Sequence, residues 1–361
     1  TIKREGDEWV PEVDLTPDLV RECTLEPKEI LDRIKAAGIV GMGGATFPTH
    51  VKLSVPPGKK TEFLIINGVE CEPYLTSDHR TMLEKGEELM VGTTILMRVL
   101  GVKQAQIGIE NNKPDAIAFL RELSKHYEGV RVTPLKVRYP QGGEKQLIAA
   151  VTGRQVPPPP GLPIDVGAVV CNASTTVAVY EAVQKRKPLV ERIVTVTGKG
   201  MKTPSNYLVR MGTPIASLVE AAGGLPEGDV KVLNGGPMMG RAMVDLSSPV
   251  TKGCSGITVL GGAEAQRGAE SACIKCAKCV QAYSSAASDV YKRQVVGASR
   301  RRGGHLVHRM RMLPVHLSGR PAAAGLHPVG QAAGHGADSR PCGGQRSEKI
   351  ERRKQKRIIY G

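Results

Sequence analysis

The chain has 361 residues, of which 40% are hydrophobic and 3% aromatic, and it carries a formal net charge of +15. This length is sufficient for two or three domains with buried cores, and no apolar run approaches the roughly 18 residues that span a bilayer. The chain opens on Thr1 with no apolar segment of the signal-peptide kind, and we expect its N-terminus to be truncated.

The positive charge is concentrated near the C-terminus. Residues 291–361 hold 16 Lys and Arg against three Asp and Glu, so they account for +13 of the net charge of +15. The main body is therefore nearly neutral, which argues against nucleic acid as its partner. A genuine basic arm remains the alternative interpretation of the last 70 or so residues alone.

Helix and strand patterns alternate over the first half of the chain. The predicted helices are 27–37, 87–100, 114–126 and 174–185, and the predicted strands are 63–66, 105–109, 130–138 and 166–171. This alternation is typical of an α/β domain with a mostly parallel sheet. A smaller mixed module follows from about residue 191, with strands at 194–197 and 230–233 and a helix at 214–222. Residues 262–280 are expected to be helical or bound to a cluster.

Four glycine-rich or polar segments follow predicted helices or strands. They are Gly41–Thr49 with Lys52, Asn67–Pro73 with Asp78 and Arg80, Tyr139–Lys145, and Cys171–Thr175. Clustered glycines let backbone N–H groups approach a phosphate, and α/β sheets bind ligands at the carboxyl ends of their strands. Taken singly, each segment also fits an ordinary turn, a helix cap or a solvated loop, and the first matches neither GxGxxG nor a P-loop.

The spacing of Cys273, Cys276 and Cys279 is typical of metal ligation in a reducing compartment. A CxxCxxC run suits three ligands of one 4Fe–4S cluster, and ferredoxins extend it to CxxCxxCxxxCP. Tyr283 stands where that pattern has its fourth Cys. A structural zinc site is the alternative, although zinc prefers paired CxxC units.

In order and spacing, the four segments resemble those of the flavin- and NADH-binding subunit of respiratory complex I. They resemble more closely the C subunits of Rnf-type (Rsx-type) ion-translocating electron transport complexes, whose pattern Ile109–Pro114 and Asn234–Gly240 also fit. The resemblance covers about residues 27–282. It implies a Rossmann-like α/β domain that binds FMN and NADH, then a small β-grasp (SLBB) module, then a truncated ferredoxin-like 4Fe–4S segment.

The resemblance also implies which residues bind the cofactors. Those that match the flavin and nucleotide loops are Gly41, Gly43, Gly44, Lys52, Asn67, Glu70, Glu72, Tyr139, Glu144, Asn172 and Thr175. Met42 stands where the complex I relatives have Arg, so a phosphate contact would depend more on Lys52 and on backbone N–H groups. Cys273, Cys276 and Cys279 would be three ligands of one 4Fe–4S cluster, whereas the intact family pattern holds two clusters.

By this resemblance the chain is an electron-transfer subunit of a membrane-bound complex that couples NADH and ferredoxin electron transfer to ion translocation. The expected partners are NADH and the other subunits, with no nucleic acid, and the expected location is peripheral, on the cytoplasmic face of the inner membrane. Two alternatives remain open. One is a soluble flavin and iron–sulfur subunit of an NADH-oxidising hydrogenase or dehydrogenase, and the other is a non-catalytic docking module.

The tail is predicted to be read out of frame. Ser284–Gln294 resembles a translated sequencing-adapter artefact, and residues 307–319 permit a coding that, read one base later, gives a complete CxxCxxCxxxCP motif. The polypeptide as written is therefore expected to bind at most one incomplete cluster. The predicted domains are 1–26 (N-terminal remnant), 27–188 (FMN and NADH binding), 189–250 (β-grasp), 251–282 (start of the ferredoxin-like segment) and 283–361 (non-native tail).

Overall fold

A four-stranded parallel sheet organises the first half of the protein in the computed structural model, which describes residues 8–266. Its strands are β1 (Phe63–Gly68), β2 (Ala105–Glu110), β3 (Val130–Leu135) and β4 (Ala168–Asn172). The spatial order is β3-β2-β1-β4, so the chain builds outward from β1 on one side and returns to its other side for β4. The carboxyl ends of β1 and β4 form the topological switch point, where sheets of this kind bind ligands.

Helices cover both faces of this sheet. They are α1 (Pro27–Ala36), α2 (Thr49–Leu53), α3 (Ser77–Glu84), α4 (Gly86–Leu100), α5 (Pro114–Ser124), α6 (Glu144–Thr152) and α7 (Ala173–Gln184). Leu64 and Ile66 share one core cluster with residues of α1, α4, α5 and α7, whereas Ile65 packs with Leu147 of α6 on the opposite face. The predicted α/β class with a Rossmann-like parallel sheet is confirmed.

The predicted elements of this half form with ends that differ by at most two residues, except for β3. The sequence predicts that strand over 130–138, but it ends at Leu135, which pairs with Glu110, the last residue of β2. Among the strands of residues 8–266, none pairs with β3 past Leu135, so the alternating pattern alone does not extend the ladder. Helices α2 and α3 are not predicted by the sequence, since each is short and follows a loop rich in glycine or polar residues.

A second sheet follows, in the order β6-β5-β9-β7-β8. Its strands are β5 (Glu191–Thr197), β6 (Ser205–Arg210), β7 (Val230–Asn234), β8 (Arg241–Ala242) and β9 (Gly256–Gly261), with helix α8 (Ile215–Ala221) packed against them. Strand β9 runs parallel to β5 and antiparallel to β7, so it lies at the centre of the sheet. The predicted end of this module is residue 250, and the sheet extends past that boundary because its central strand follows it.

Several predictions concern residues outside the described range. Residues 1–7, the cysteines Cys273, Cys276 and Cys279, and the predicted tail 283–361 all lie beyond residues 8–266. Of the predicted 262–280 segment, a 3₁₀ turn at Gly262–Glu264 is described. Within residues 8–266 no helix has both the length and the apolar character that crossing a membrane requires.

Candidate functional site

The glycine-rich loop that follows α1 (residues 41–47) is anchored on the N-terminus of α7. Met42 donates its N–H to Thr175 Oγ1 at 2.9 Å. A Cβ added to Gly43 would lie 2.7 Å from Asn172 Nδ2, so only glycine allows this approach. Asn172 in turn accepts the Thr175 N–H at 3.1 Å and caps the helix. The first and fourth predicted segments are therefore in direct contact.

The other side of the loop is open. Gly41 donates its N–H to the Phe47 carbonyl at 2.9 Å, which closes the loop on itself. Gly43 and Gly44 are exposed, and a Cβ added to Gly44 would meet no heavy atom within 4 Å. An accessible backbone beside the N-terminus of a helix fits an anionic group such as a phosphate.

Lys52, on α2, reaches the third segment across the end of β4. Its Nζ donates to Glu144 Oε1 at 2.8 Å and to the Val170 carbonyl at 3.1 Å. The Lys52 and Glu144 side chains are 34% and 39% exposed. A pair this exposed is screened by water and contributes little to stability. Separating Lys52 from Glu144 when a ligand binds would therefore cost little free energy.

Asn67, one residue before the end of β1, lies directly opposite Asn172 of β4. Its Nδ2 donates to the Gly142 carbonyl at 2.9 Å, and its Oδ1 accepts the Val69 N–H at 3.0 Å. These bonds join the second segment to the third, which begins at the half-buried Tyr139. All four predicted segments thus meet at the switch point between β1 and β4.

Glu70 caps helix α3 rather than pointing freely into the site. Its carboxylate accepts hydrogen bonds from Ser77 Oγ at 3.1 Å, Asp78 N at 3.0 Å and His79 N at 3.1 Å. Burial and the neighbouring Asp78 raise the pKa of Glu70 to about 7. Because both oxygens already bind protein donors, a role for Glu70 beside a flavin ring stays a prediction.

Asp78 ties α3 to the fourth segment. Its carboxylate accepts a hydrogen bond from Asn172 Nδ2 at 2.7 Å and another from Ser174 Oγ. Asn172 is therefore held from two sides, by Asp78 through its amide nitrogen and by Thr175 through its oxygen. This fixes the side chain that lies against Gly43.

Glu72 contacts the second sheet. Its Oε1 accepts the N–H groups of Met238 at 2.7 Å and Met239 at 2.8 Å, in the turn between β7 and β8. A Cβ added to Gly236 would lie 2.1 Å from Glu72 Cγ, so this turn closes tightly on the side chain. Burial raises the pKa of Glu72. This turn belongs to the Asn234–Gly240 motif of the sequence, but no local pattern shows that the motif holds Glu72.

A buried ion pair at the end of β2 is also missing from the predicted site. Lys113 Nζ donates to Glu110 Oε2 at 3.0 Å, with both side chains less than a tenth exposed. Glu110 Oε1 has no hydrogen-bond partner among the described residues. Nearby, burial raises the pKa of the Cys71 thiol to about 11, so this thiol is protonated at neutral pH. The Ile109–Pro114 motif is the only sequence signal for the pair.

Two further observations delimit the site. A cavity of about 720 Å³ lies away from the four segments, where residues near the N-terminus meet α4, α7 and the second sheet. Ion pairs such as Lys85–Glu181 and Lys185–Asp14 line it.

Within residues 8–266, no group of three or more His, Cys, Asp or Glu side chains is arranged to hold a metal ion.

Two family descriptions match consecutive parts of the chain. The Nuo51 FMN-binding domain matches residues 34–181, and the SLBB domain matches residues 193–242. The first range contains all four segments of the site, and the second covers β5 to β8.

The chain is 48% identical over 284 residues to the C subunit of the proton-translocating ferredoxin:NAD(+) oxidoreductase complex of Clostridium ljungdahlii. It is 46% identical over 270 residues to the Na(+)-translocating counterpart of Acetobacterium woodii, and 43% identical over 285 residues to the C subunit of the ion-translocating oxidoreductase complex of Rhodobacter capsulatus. These matches cover 78%, 74% and 78% of this chain, but only 61%, 60% and 54% of the relatives' own lengths.

Among solved structures, the fold is similar to a chain of an NAD+-reducing [NiFe]-hydrogenase in the H2-reduced state. The TM-score is 0.53 at 24% identity, over 65% of this chain and 47% of that one. At this identity the likeness concerns the fold alone.

Proposed function

The chain belongs to the family of C subunits of ion-translocating ferredoxin:NAD+ oxidoreductase complexes, and on this premise we propose that it transfers electrons between NAD(H) and iron–sulfur clusters through FMN. The observation that supports the proposal best is the meeting of four separate segments at the switch point between β1 and β4. Ligands of α/β sheets bind at this place, and the polar groups there come from four different loops.

Different residues of the site would bind different parts of FMN. The open backbone of Gly43 and Gly44, together with the Lys52 cation, would receive the phosphate, and Asn67 and Asn172 would orient the rest of FMN by hydrogen bonds. Gly41, Thr175, Glu70, Glu72, Tyr139 and Glu144 complete the proposed set. When bound, FMN supplies the chemistry that accepts two electrons as a hydride and releases them singly.

The electrons would continue to a 4Fe–4S cluster held by Cys273, Cys276 and Cys279. These residues follow the second sheet in the sequence. We further propose that the chain sits peripherally on the cytoplasmic face of the membrane, bound to other subunits of its complex. The relatives from Clostridium ljungdahlii and Acetobacterium woodii are named for different ions, so similarity to them does not select one.

The test is flavin binding by the full 361-residue chain. We expect the chain to bind FMN, and NADH to bleach the flavin absorbance of the bound form. Lys52→Met removes the cation at the end of β4 and should weaken FMN binding about tenfold, as expected for one charge-assisted contact.

The matched control is Lys59→Met. Lys59 forms an ion pair with Asp165 at 2.9 Å and its side chain is 47% exposed, so its loss should change FMN affinity by less than about twofold. A folded wild-type chain that binds no FMN would reject the proposal and favour the docking module. Equal losses in the two variants would reject the role of Lys52.

A further inference from the structure

Arg192 is a buried cation that comes from the second sheet and reaches the glycine-rich loop of the first domain. The residue lies near the start of β5 and is 5% exposed. Its Nη1 donates to the Met42 carbonyl at 3.4 Å and also to the Lys252 carbonyl, and its Nε donates to the Ile193 carbonyl at 3.2 Å. Every contact described for this guanidinium is thus a backbone carbonyl.

No carboxylate lies within ion-pair distance of Arg192 among residues 8–266. Asp78 and Glu70 are near enough to favour the charged guanidinium, but they do not touch it. Asp78 is already bonded to Asn172 and Ser174, and Glu70 to the start of α3. A guanidinium stays protonated at neutral pH even when burial lowers its pKa, so the site contains a positive charge without a direct counter-ion.

A charge buried in this way is costly unless something compensates it. In the low dielectric of the interior its field also reaches further than that of an exposed Lys or Arg. The field acts on the glycine-rich loop, whose backbone the guanidinium touches, and the open side of that loop is where an anionic ligand fits. An anion placed there would add to the compensation that Asp78 and Glu70 supply from a distance.

Met42 is held at both ends of its backbone. Its N–H is bonded to Thr175 of the first domain and its carbonyl to Arg192 of the second sheet. The peptide units on either side of Met42 therefore depend on both domains for their orientation. Gly43 and Gly44 are the next two residues, so the direction of their backbone depends on how these peptide units are held.

We propose that Arg192 is a positioning residue of the flavin site, which fixes the glycine-rich loop through the Met42 carbonyl and supplies a positive charge that favours the reduced, anionic flavin over the oxidised one. This inference rests on the proposed function for the flavin, while the loop-positioning half of it concerns the protein alone.

The experiment compares the full chain with Arg192→Met, Arg192→Lys and Lys252→Met. Lys252 is the matched control, because its Nζ also crosses between the domains, donating to the Gly38 carbonyl at 2.6 Å, but it does not touch the glycine-rich loop. Three quantities are measured: amide hydrogen exchange of residues 41–47 in the FMN-free protein, FMN affinity, and the midpoint potential of the bound flavin.

In Arg192→Met we expect faster amide exchange in the loop, about tenfold weaker FMN binding and a more negative midpoint potential. If the reduced flavin loses tenfold more affinity than the oxidised one, the two-electron potential falls by about 30 mV. Arg192→Lys keeps the positive charge but not the hydrogen-bond geometry of the guanidinium. Its midpoint potential should therefore stay close to that of the wild type, while the amides of its loop still exchange faster. Lys252→Met should match the wild type in all three measurements.

The inference is overturned if Arg192→Met folds and matches the wild type in exchange, affinity and potential, or if Lys252→Met produces the same losses. Should Arg192→Met not fold, a folded Arg192→Lys with wild-type exchange and affinity overturns it. Failure of the proposed function gives a different result: the wild type binds no FMN, whereas the exchange difference between Arg192→Met and Lys252→Met persists.

Discussion

Single residues at this site combine structural and chemical roles. Glu70 supplies the N-terminal cap of α3, for which the capping residue Thr76 offers no side-chain bond. The same burial that makes this cap effective raises the pKa of Glu70 to about 7, far above its ordinary value of 4.5. The chain therefore contains a carboxyl that changes its charge near neutral pH within the candidate site.

The raised pKa of Glu70 predicts how stability depends on pH. The folded chain binds this proton more tightly than the unfolded chain, so the free energy of unfolding should fall as pH rises from about 4.5 to about 7. For one group the slope is at most about 1.4 kcal/mol per pH unit. Glu70→Gln removes this titration, so the wild type should lose stability relative to the variant across that window in denaturant unfolding at several pH values.

Glu122→Gln serves as the control for this experiment. Glu122 is exposed on α5, and Lys125 lowers its pKa, so its titration falls below the window. Its unfolding curves should follow the wild type from pH 5 to pH 7. Parallel curves for the wild type and Glu70→Gln would contradict the raised pKa.

At the scale of elements, the glycine-rich loop is shaped by how closely it approaches α7. Gly43 packs on Asn172 so tightly that an added Cβ would also lie 3.0 Å from Cγ and 3.2 Å from Cβ of that side chain. The next glycine faces open space. The absence of a side chain thus has different effects at the two positions. At Gly43 it allows close packing against Asn172, and at Gly44 it leaves open space beside the backbone.

This contrast predicts different effects of two similar substitutions. Gly43→Ala should destabilise the folded chain by about 1–3 kcal/mol, because Asn172 must move and its bonds to Asp78 and Thr175 weaken. Gly44→Ala should change stability by less than about 0.5 kcal/mol. Denaturant unfolding without FMN measures both, and a Gly44→Ala variant as unstable as Gly43→Ala would show that the loop is placed differently.

At the scale of the whole molecule, the second sheet completes the first domain's site. Its β7–β8 turn binds Glu72, and Arg192 binds the Met42 carbonyl of the glycine-rich loop. The Thr76 N–H adds a bond to Thr195 Oγ1 at 3.2 Å. Loops of the first domain are therefore held in place by hydrogen bonds from the second.

The iron content of the chain is predicted from the sequence beyond residue 266. In two-cluster ferredoxins the fourth Cys of each motif ligates the other cluster, and here Tyr283 stands at that position. The chain as written should bind at most one labile cluster after reconstitution, measured as iron and acid-labile sulfide per chain. Tyr283→Cys combined with the shifted reading frame should raise iron toward two clusters.

The nucleotide sequence across residues 280–310 is the independent check on this prediction. A frame that breaks near residue 283 would explain the basic, His-rich tail as out-of-frame coding. An unbroken frame would contradict the out-of-frame interpretation of the tail, and two stable clusters in the chain as written would contradict the ligand assignment.

The sequence by itself determined the parallel α/β class, most of the elements of the first sheet and the four segments at the ends of its elements. These follow from local causes: apolar periodicity, proline and glycine at helix ends, and polar residues where strands stop. It did not reveal α3 or β9, because a short polar helix and a six-residue strand flanked by glycines have weak local patterns.

Only the tertiary structure decided which side chains face one another. Met42 and Thr175 are 133 residues apart in sequence, and Glu72 and Met238 are 166 apart, yet each pair is joined by a hydrogen bond. The burial of Arg192 is likewise decided by the tertiary structure, since no local pattern shows that an Arg near the start of a strand is buried. Its guanidinium has no carboxylate partner among residues 8–266. Hydrogen-bond partners and buried charges depend on how distant elements pack, and that packing is a property of the whole chain that no local pattern contains.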